Sequence, residues 1–155
     1  MENEVNVTPV SVAPAYTPPM PMSPADERTW AMLAHLSVLL NLVTGFLGVV
    51  TAFVIYLMHK DRSRYVANQA LQAFFFQLIF WGGGGFLIGV IWAITGALCT
   101  ILIGFLLIPF ALLATFIFLP MPLLAIVYGV IAAMQCANGD DFRYWLIGQW
   151  VHGMV

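Results

Sequence analysis

The chain has 155 residues, 62% of them hydrophobic and only 8% charged, with a formal net charge of −2. Soluble domains carry roughly 25% charged residues, so a soluble globular core is excluded, and the lack of a basic stripe sets nucleic acid aside as a partner. Cys99 and Cys136 do not have the paired spacing of a zinc or redox motif and are read as small buried hydrophobes.

Residues 1–22 hold Pro9, Pro14, Pro18, Pro19 and Pro21, no basic residue and no compact apolar block. Such a segment neither packs a core nor serves as a secretory signal, and it is expected to be a disordered tail. Residues 23–155 are expected to form one helical membrane domain. Ser23-Pro24-Ala25-Asp26 places a hydroxyl at an N-cap, a proline at the first helical position and an acid at the third, which is a helix start. Trp30 then falls where an indole prefers the membrane interface.

Two charge-free runs follow, Thr29 to Met58 and Tyr65 to Gly139. About 20 apolar residues cross a hydrocarbon layer of roughly 30 Å, so the second run is long enough for more than one crossing. Lipid requires every backbone amide to be satisfied, and neither run has the period-two alternation of a barrel strand. The expected fold is all-α, a polytopic transmembrane bundle of about four helices.

Residues 30–58 would reach about 43 Å as one helix, long for a perpendicular crossing, and Asn41, Thr44, Gly45 and Gly48 cluster at the middle. One long tilted helix and a broken hairpin are both open, and the polar cluster favours the hairpin. The loop that follows carries Lys60, Arg62 and Arg64, three of the five fixed basic charges, and is expected on the cytoplasmic side. Arg143 points the same way, so an even number of crossings should separate the two.

Residues 69–95 read as one membrane helix and 98–135 as another, with Pro109, Pro120 and Pro122 expected to kink or interrupt it. Gly82-Gly83-Gly84-Gly85 costs about 1 kcal/mol per residue relative to alanine, so something should use the missing side chains. Gly85 and Gly89 form a GxxxG pair suited to close helix approach, within the chain or between subunits. Residues 142–152 interleave aromatics with Arg143, Gln149 and His152 and read as an interfacial amphipathic helix.

Chemistry is scarce. His35 lies inside the first run with no carboxylate or second histidine near it in sequence, so a neutral histidine hydrogen-bonded to a neighbouring helix is favoured over a relay or metal site. Gln69, Gln72 and Gln77 enter the second run together and are expected to bond across helices, as is Asn41. There is no nucleophile beside a base, no intramembrane carboxylate pair and no phosphate-cradling loop, so no catalytic residue, cofactor or metal is assigned and a membrane enzyme is disfavoured.

Three blocks carry a family resemblance: Asp26-Glu27-Arg28-Thr29-Trp30-Ala31-Met32-Leu33-Ala34-His35-Leu36-Ser37, then Lys60-Asp61-Arg62-Ser63-Arg64-Tyr65-Val66 leading into Gln69-Ala70-Leu71, and Ala137-Asn138-Gly139 with Phe142-Arg143-Tyr144. The pattern resembles a bacterial family of small polytopic membrane proteins similar to Tic twenty, the chloroplast inner-envelope import component. That resemblance implies a compact bundle of about four helices related to a protein-import channel component. The sequence departs from it at Val66 and Asn68, where many members have histidine and lysine, and at Trp145, where they have proline.

The expectation is therefore a non-catalytic, multi-pass protein of the bacterial inner membrane. It would act through helix contacts, as an accessory subunit or assembly factor, with the bilayer and a membrane-protein partner or a second copy as its surroundings. A channel or translocation component similar to Tic twenty is the alternative.

Overall fold

In the computed structural model, which describes residues 20–154, helix α1 (Pro24–Leu36) begins at the expected cap. Ser23 is extended and its Oγ accepts the Asp26 N–H at 3.2 Å. Residues 1–19 of the expected proline-rich tail lie outside the described residues.

A 3-10 turn over Ser37–Leu39 passes α1 into α2 (Leu40–Thr44), and the chain reverses at Gly45. Gly45 has φ of 81°, a conformation that costs residues with a Cβ. Helix α3 (Leu47–His59) returns beside α1, so the first run is a broken hairpin and not one tilted helix. A helix start in apolar surroundings needs acceptors for its free amides. Here the Leu47 N–H bonds to Thr44 Oγ1 at 3.2 Å, the Gly48 N–H to Asn41 Oδ1 at 2.8 Å, and the Val49 N–H to the Phe46 carbonyl at 3.1 Å.

The basic loop leads to Ser63, whose Oγ accepts the Val66 N–H at 3.1 Å to cap α4 (Arg64–Gln77). The same hydroxyl donates to Glu27 Oε1 at 2.6 Å, tying the loop to the start of α1. A π-helical turn over Leu78–Gly83 carries α4 into α5 (Gly84–Cys99) without a break, a helical run of 36 residues. After a reversal at Thr100–Ile103 come α6 (Gly104–Phe118) and α7 (Pro120–Asn138). Leu119 stays right-handed helical between them, so Gly104–Asn138 is a second run, of 35 residues.

The run stays helical through its prolines, but α6 ends at Phe118 and α7 begins at Pro120. Pro109 sits inside α6, and Pro120 and Pro122 lie in the first turn of α7, where a missing N–H costs least. Both long runs are apolar enough to cross a membrane, and their most apolar windows are only 22% and 11% buried. A soluble core helix would hide that surface; these helices present it outward.

Helix α1 packs on α7, α4 and α3, and α3 packs on α4, while α5 and α6 pair with each other and touch α7 only lightly. The result is a four-helix body with a two-helix hairpin continuing from it. The body's interior is rich in small residues, including Ala31, Ala34, Ala52, Ala70, Ala73, Ala125 and Ala132, which let helices approach closely where lipid offers no hydrophobic drive. Helix α7 comes close to the end of α1 and the turn after it at Gly129, where a Cβ would stand 2.8 Å from Val38 Cγ1 and 3.3 Å from the His35 carbonyl.

Two local expectations are corrected. Within the chain the close approach is made by Gly84, whose Cβ would meet Met121 Cβ at 3.0 Å, and by Gly82, 3.3 Å from Phe46 Cε2; Gly85 and Gly89 face open space. The C-terminal segment is not an amphipathic helix over 142–152. Only α8 (Gly148–His152) is helical there, and Phe142, Tyr144, Ile147 and Val151 are buried in the body, not laid along its surface. Alternate burial of Phe142 and Tyr144 against exposed Arg143 and Trp145 is the pattern of extended chain.

Candidate functional site: a buried polar network between the helices

The sequence-expected polar residues gather into two networks inside the four-helix body. In the first, His35 on α1 is fully buried, with Nε2 3.0 Å from Gln69 Oε1 on α4 and Nδ1 3.1 Å from the Tyr144 hydroxyl. Gln69 Nε2 donates to Asp141 Oδ1 at 2.9 Å and to the Phe142 carbonyl at 3.0 Å. With that amide donating outward, its oxygen accepts, so His35 Nε2–H donates to it. Nδ1 of a neutral ring then accepts from Tyr144, whose phenol burial pushes above its ordinary pKa and so keeps as a donor.

The next turn of α4 extends the network. Gln72 Nε2 donates to Asn68 Oδ1 at 2.7 Å and to the Phe142 carbonyl at 3.3 Å, while Gln72 Oε1 accepts the Tyr144 N–H at 3.1 Å. Asn68 Nδ2 donates to His152 Nδ1 at 2.7 Å. The C-terminal segment is thus clasped through its backbone by the amides of α4.

The second network closes the broken hairpin. Asn41 Nδ2 donates to Gln77 Oε1 at 3.1 Å, and Gln77 Nε2 donates to Ser37 Oγ at 3.0 Å. Ser37 Oγ lies 2.7 Å from the Ala34 carbonyl and 2.9 Å from that of Gly48. Trp81 Nε1, on the π-helical turn, donates to the Gly45 carbonyl at 2.6 Å, fastening the hairpin tip to the long helix.

Among the described residues no buried side-chain nitrogen or oxygen lacks a partner, and no group of three or more His, Cys, Asp or Glu converges as a metal site would. His35 reaches a carboxylate only through the Gln69 amide, and Asp141 is itself paired with Arg143 at 2.9 Å. Lys60 and Arg62 in the loop and Arg64 at the start of α4 are exposed and join neither network. A groove of about 560 Å3 runs between α1 and α3 and is lined largely by apolar side chains such as Trp30, Leu33, Leu40, Val50 and Val54. Its lining suits an acyl chain and offers few polar groups to orient a substrate.

Sequence reasoning brought out His35, Asn41, Gln69, Gln72 and Gln77 but missed Tyr144, Asp141, Asn68, Ser37 and His152. The available signal was the set Asn68, Gln69 and Gln72 on neighbouring positions of one helix face, more amide than α4 satisfies by itself.

No curated protein matches this chain and no solved structure matches it, and nothing found supports the resemblance to Tic twenty. Residues 26–151, which contain both networks except His152, the basic loop and the α5–α6 hairpin, match the family model described as the magnetosome magnetite crystal formation protein family. Spanning most of the sequence, that match shows that the chain belongs to the MamF/MmsF family of magnetosome magnetite crystal formation proteins.

Proposed function

We propose that the chain is a non-catalytic, multi-pass protein of the magnetosome membrane. It serves magnetite crystal formation as an accessory factor, through contacts with other membrane components. The family match carries this reading. The geometry supports it, because the buried amides, hydroxyls and His35 are all engaged in holding helices and the C-terminal segment together. Groups committed in this way are poorly placed to bind or transform a substrate. The translocation alternative has no observation in its favour, since the groups of both networks bond to one another, to backbone carbonyls and to the C-terminal segment, and among the described residues leave no open polar path.

The test is deletion of the gene in its magnetite-forming host, with electron microscopy of the crystals and gentle purification of a tagged copy. Altered crystal size or shape, and recovery with other magnetosome membrane proteins, are the expected results. Crystals indistinguishable from the parent would overturn the assignment to crystal formation. Recovery as a lone monomer would overturn the contact mechanism.

A further inference from the structure

The charges are arranged one-sidedly. Among the described residues, Asp26, Glu27 and Arg28 start α1, Lys60, Asp61 and Arg62 fill the α3–α4 loop, Arg64 opens α4, and Asp140, Asp141 and Arg143 follow α7. These segments are one end of the molecule. Ser63 donates to Glu27, the Tyr65 hydroxyl donates to the Asp140 carbonyl at 2.8 Å, and Arg28 lies against Gly139. Away from that end lie the Gly45 turn, level with Trp81 and Gly82, and, further along the same helical run, the tip of the α5–α6 hairpin, both without a charged residue.

That tip is unlike a loop made for water. Ile101, Leu102 and Ile103 are 59%, 75% and 56% exposed. Five of its amides are bonded internally: the N–H groups of Thr100, Ile101 and Leu102 reach the carbonyls of Ala97, Leu98 and Cys99, and those of Phe105 and Leu106 reach Leu102 and Ile103. Such bonding tightens helix ends in any solvent and lowers the cost of placing the turn in lipid. Leu102 has φ of 66°, a left-handed backbone that glycine or asparagine adopts more readily. An exposed leucine held there argues that the apolar side chain is what the position requires.

The hairpin behind the tip is apolar all round. Phe86, Leu87, Val90 and Ile94 on α5, and Leu106, Phe110, Leu113 and Phe116 on α6, are exposed on several faces. A protein partner covers one face of a helix pair, while hydrocarbon covers every face. The length is compatible. From Gln69 to Cys99 the helix reaches about 46 Å. A tilt of about 40° leaves roughly 36 Å along the normal, and a bend at the glycine run or local thickening absorbs the difference from a layer of about 30 Å.

We propose that the α5–α6 hairpin ends inside the bilayer, with Thr100–Ile103 solvated by acyl chains, so that the described part of the protein meets water at its charged end alone. Any mineral surface or water-borne partner would then have to use that one face, and not both faces at once. The inference rests on the fold and not on the proposed role in crystal formation, and its test measures neither crystals nor partners.

The full chain with Cys99→Ala and Cys136→Ala is nitroxide-labelled at Leu102→Cys, reconstituted in phosphatidylethanolamine and phosphatidylglycerol liposomes, and compared with label at Lys60→Cys. Ile101→Cys provides a second tip position should the first fail to fold. Collision rates with dissolved oxygen and with a water-soluble nickel chelate are read by electron paramagnetic resonance. Lipid-embedded tips give oxygen collisions several-fold above nickel collisions, with the reverse at position 60. Nickel access at the tip matching position 60 would show that it emerges into water. Low access to both probes would show that protein covers it, and either result overturns the proposal.

Discussion

Asn41 Oδ1 accepts the Gly48 N–H at 2.8 Å while its amide nitrogen donates to Gln77 at 3.1 Å, so one side chain caps α3 and fastens the hairpin to α4. The cap is possible because Gly48 lets α3 press onto Ser37: a Cβ at position 48 would collide with the Ser37 carbonyl and stand 2.7 Å from Asn41 Oδ1. Gly48→Ala is therefore expected to destabilise by about 2–3 kcal/mol through overpacking and the displaced cap. Asn41→Ala should cost about 1–3 kcal/mol, from the partners left unpaired. Thermal unfolding in detergent, followed by tryptophan fluorescence, checks both, and a wild-type midpoint for Gly48→Ala would contradict the close approach.

His35 and Gln69 should be energetically coupled. They meet 3.0 Å apart with neither exposed, and cross-helix polar pairs in membranes contribute about 1 kcal/mol. A double-mutant cycle with His35→Ala and Gln69→Ala, read as unfolding free energy, should return a coupling of that order. If crystal formation failed in His35→Ala while stability was unchanged, the purely structural role given to His35 would be wrong.

The glycines should separate sharply. Gly84→Leu drives a side chain into Met121 and Pro122, and a loss of about 2 kcal/mol or more is expected from overpacking. Gly85→Ala and Gly89→Ala meet nothing within 4 Å and should be neutral or slightly stabilising, since alanine is the better helix former by about 1 kcal/mol in water. Midpoints of purified variants in one detergent give the comparison. Destabilised or dissociated Gly89→Ala protein would instead reveal an interface on that open face.

Burial raises the Tyr144 phenol above its ordinary value of 10.0, and the sign of the consequence is fixed by linkage. In the unfolded chain the phenol loses its proton near pH 10, while in the fold it keeps it, so the fold binds more protons and loses stability as pH rises beyond that point. The contribution is fully present below pH 10. Unfolding midpoints should hold steady from pH 7 to about 9 and fall above about 10, with a shallower fall in Tyr144→Phe. Equal slopes in the two proteins would remove Tyr144 as the source.

The amino-acid sequence by itself determined the solvent class, the helix start at Ser23 and the polar residues that would need partners, and it favoured, without deciding, a hairpin break near Gly45. Each follows from local quantities: a hydrophobic run long enough to meet lipid, a hydroxyl before a proline, polar groups that hydrocarbon does not tolerate alone. What only the tertiary structure decided were the partners. Gln69 and Phe142 are joined across a separation of 73 positions, and no periodicity encodes that pairing. The same holds for the glycine run, because successive helix positions point about 100° apart and a π-helical turn over Leu78–Gly83 shifts the facing further. Gly84 therefore faces Met121 while Gly85 faces open space. Phe142 and Tyr144 were read as helix-face aromatics because composition suits an interface equally well; two open positions beside His35 and Phe76, which only the assembled helices create, draw them inside.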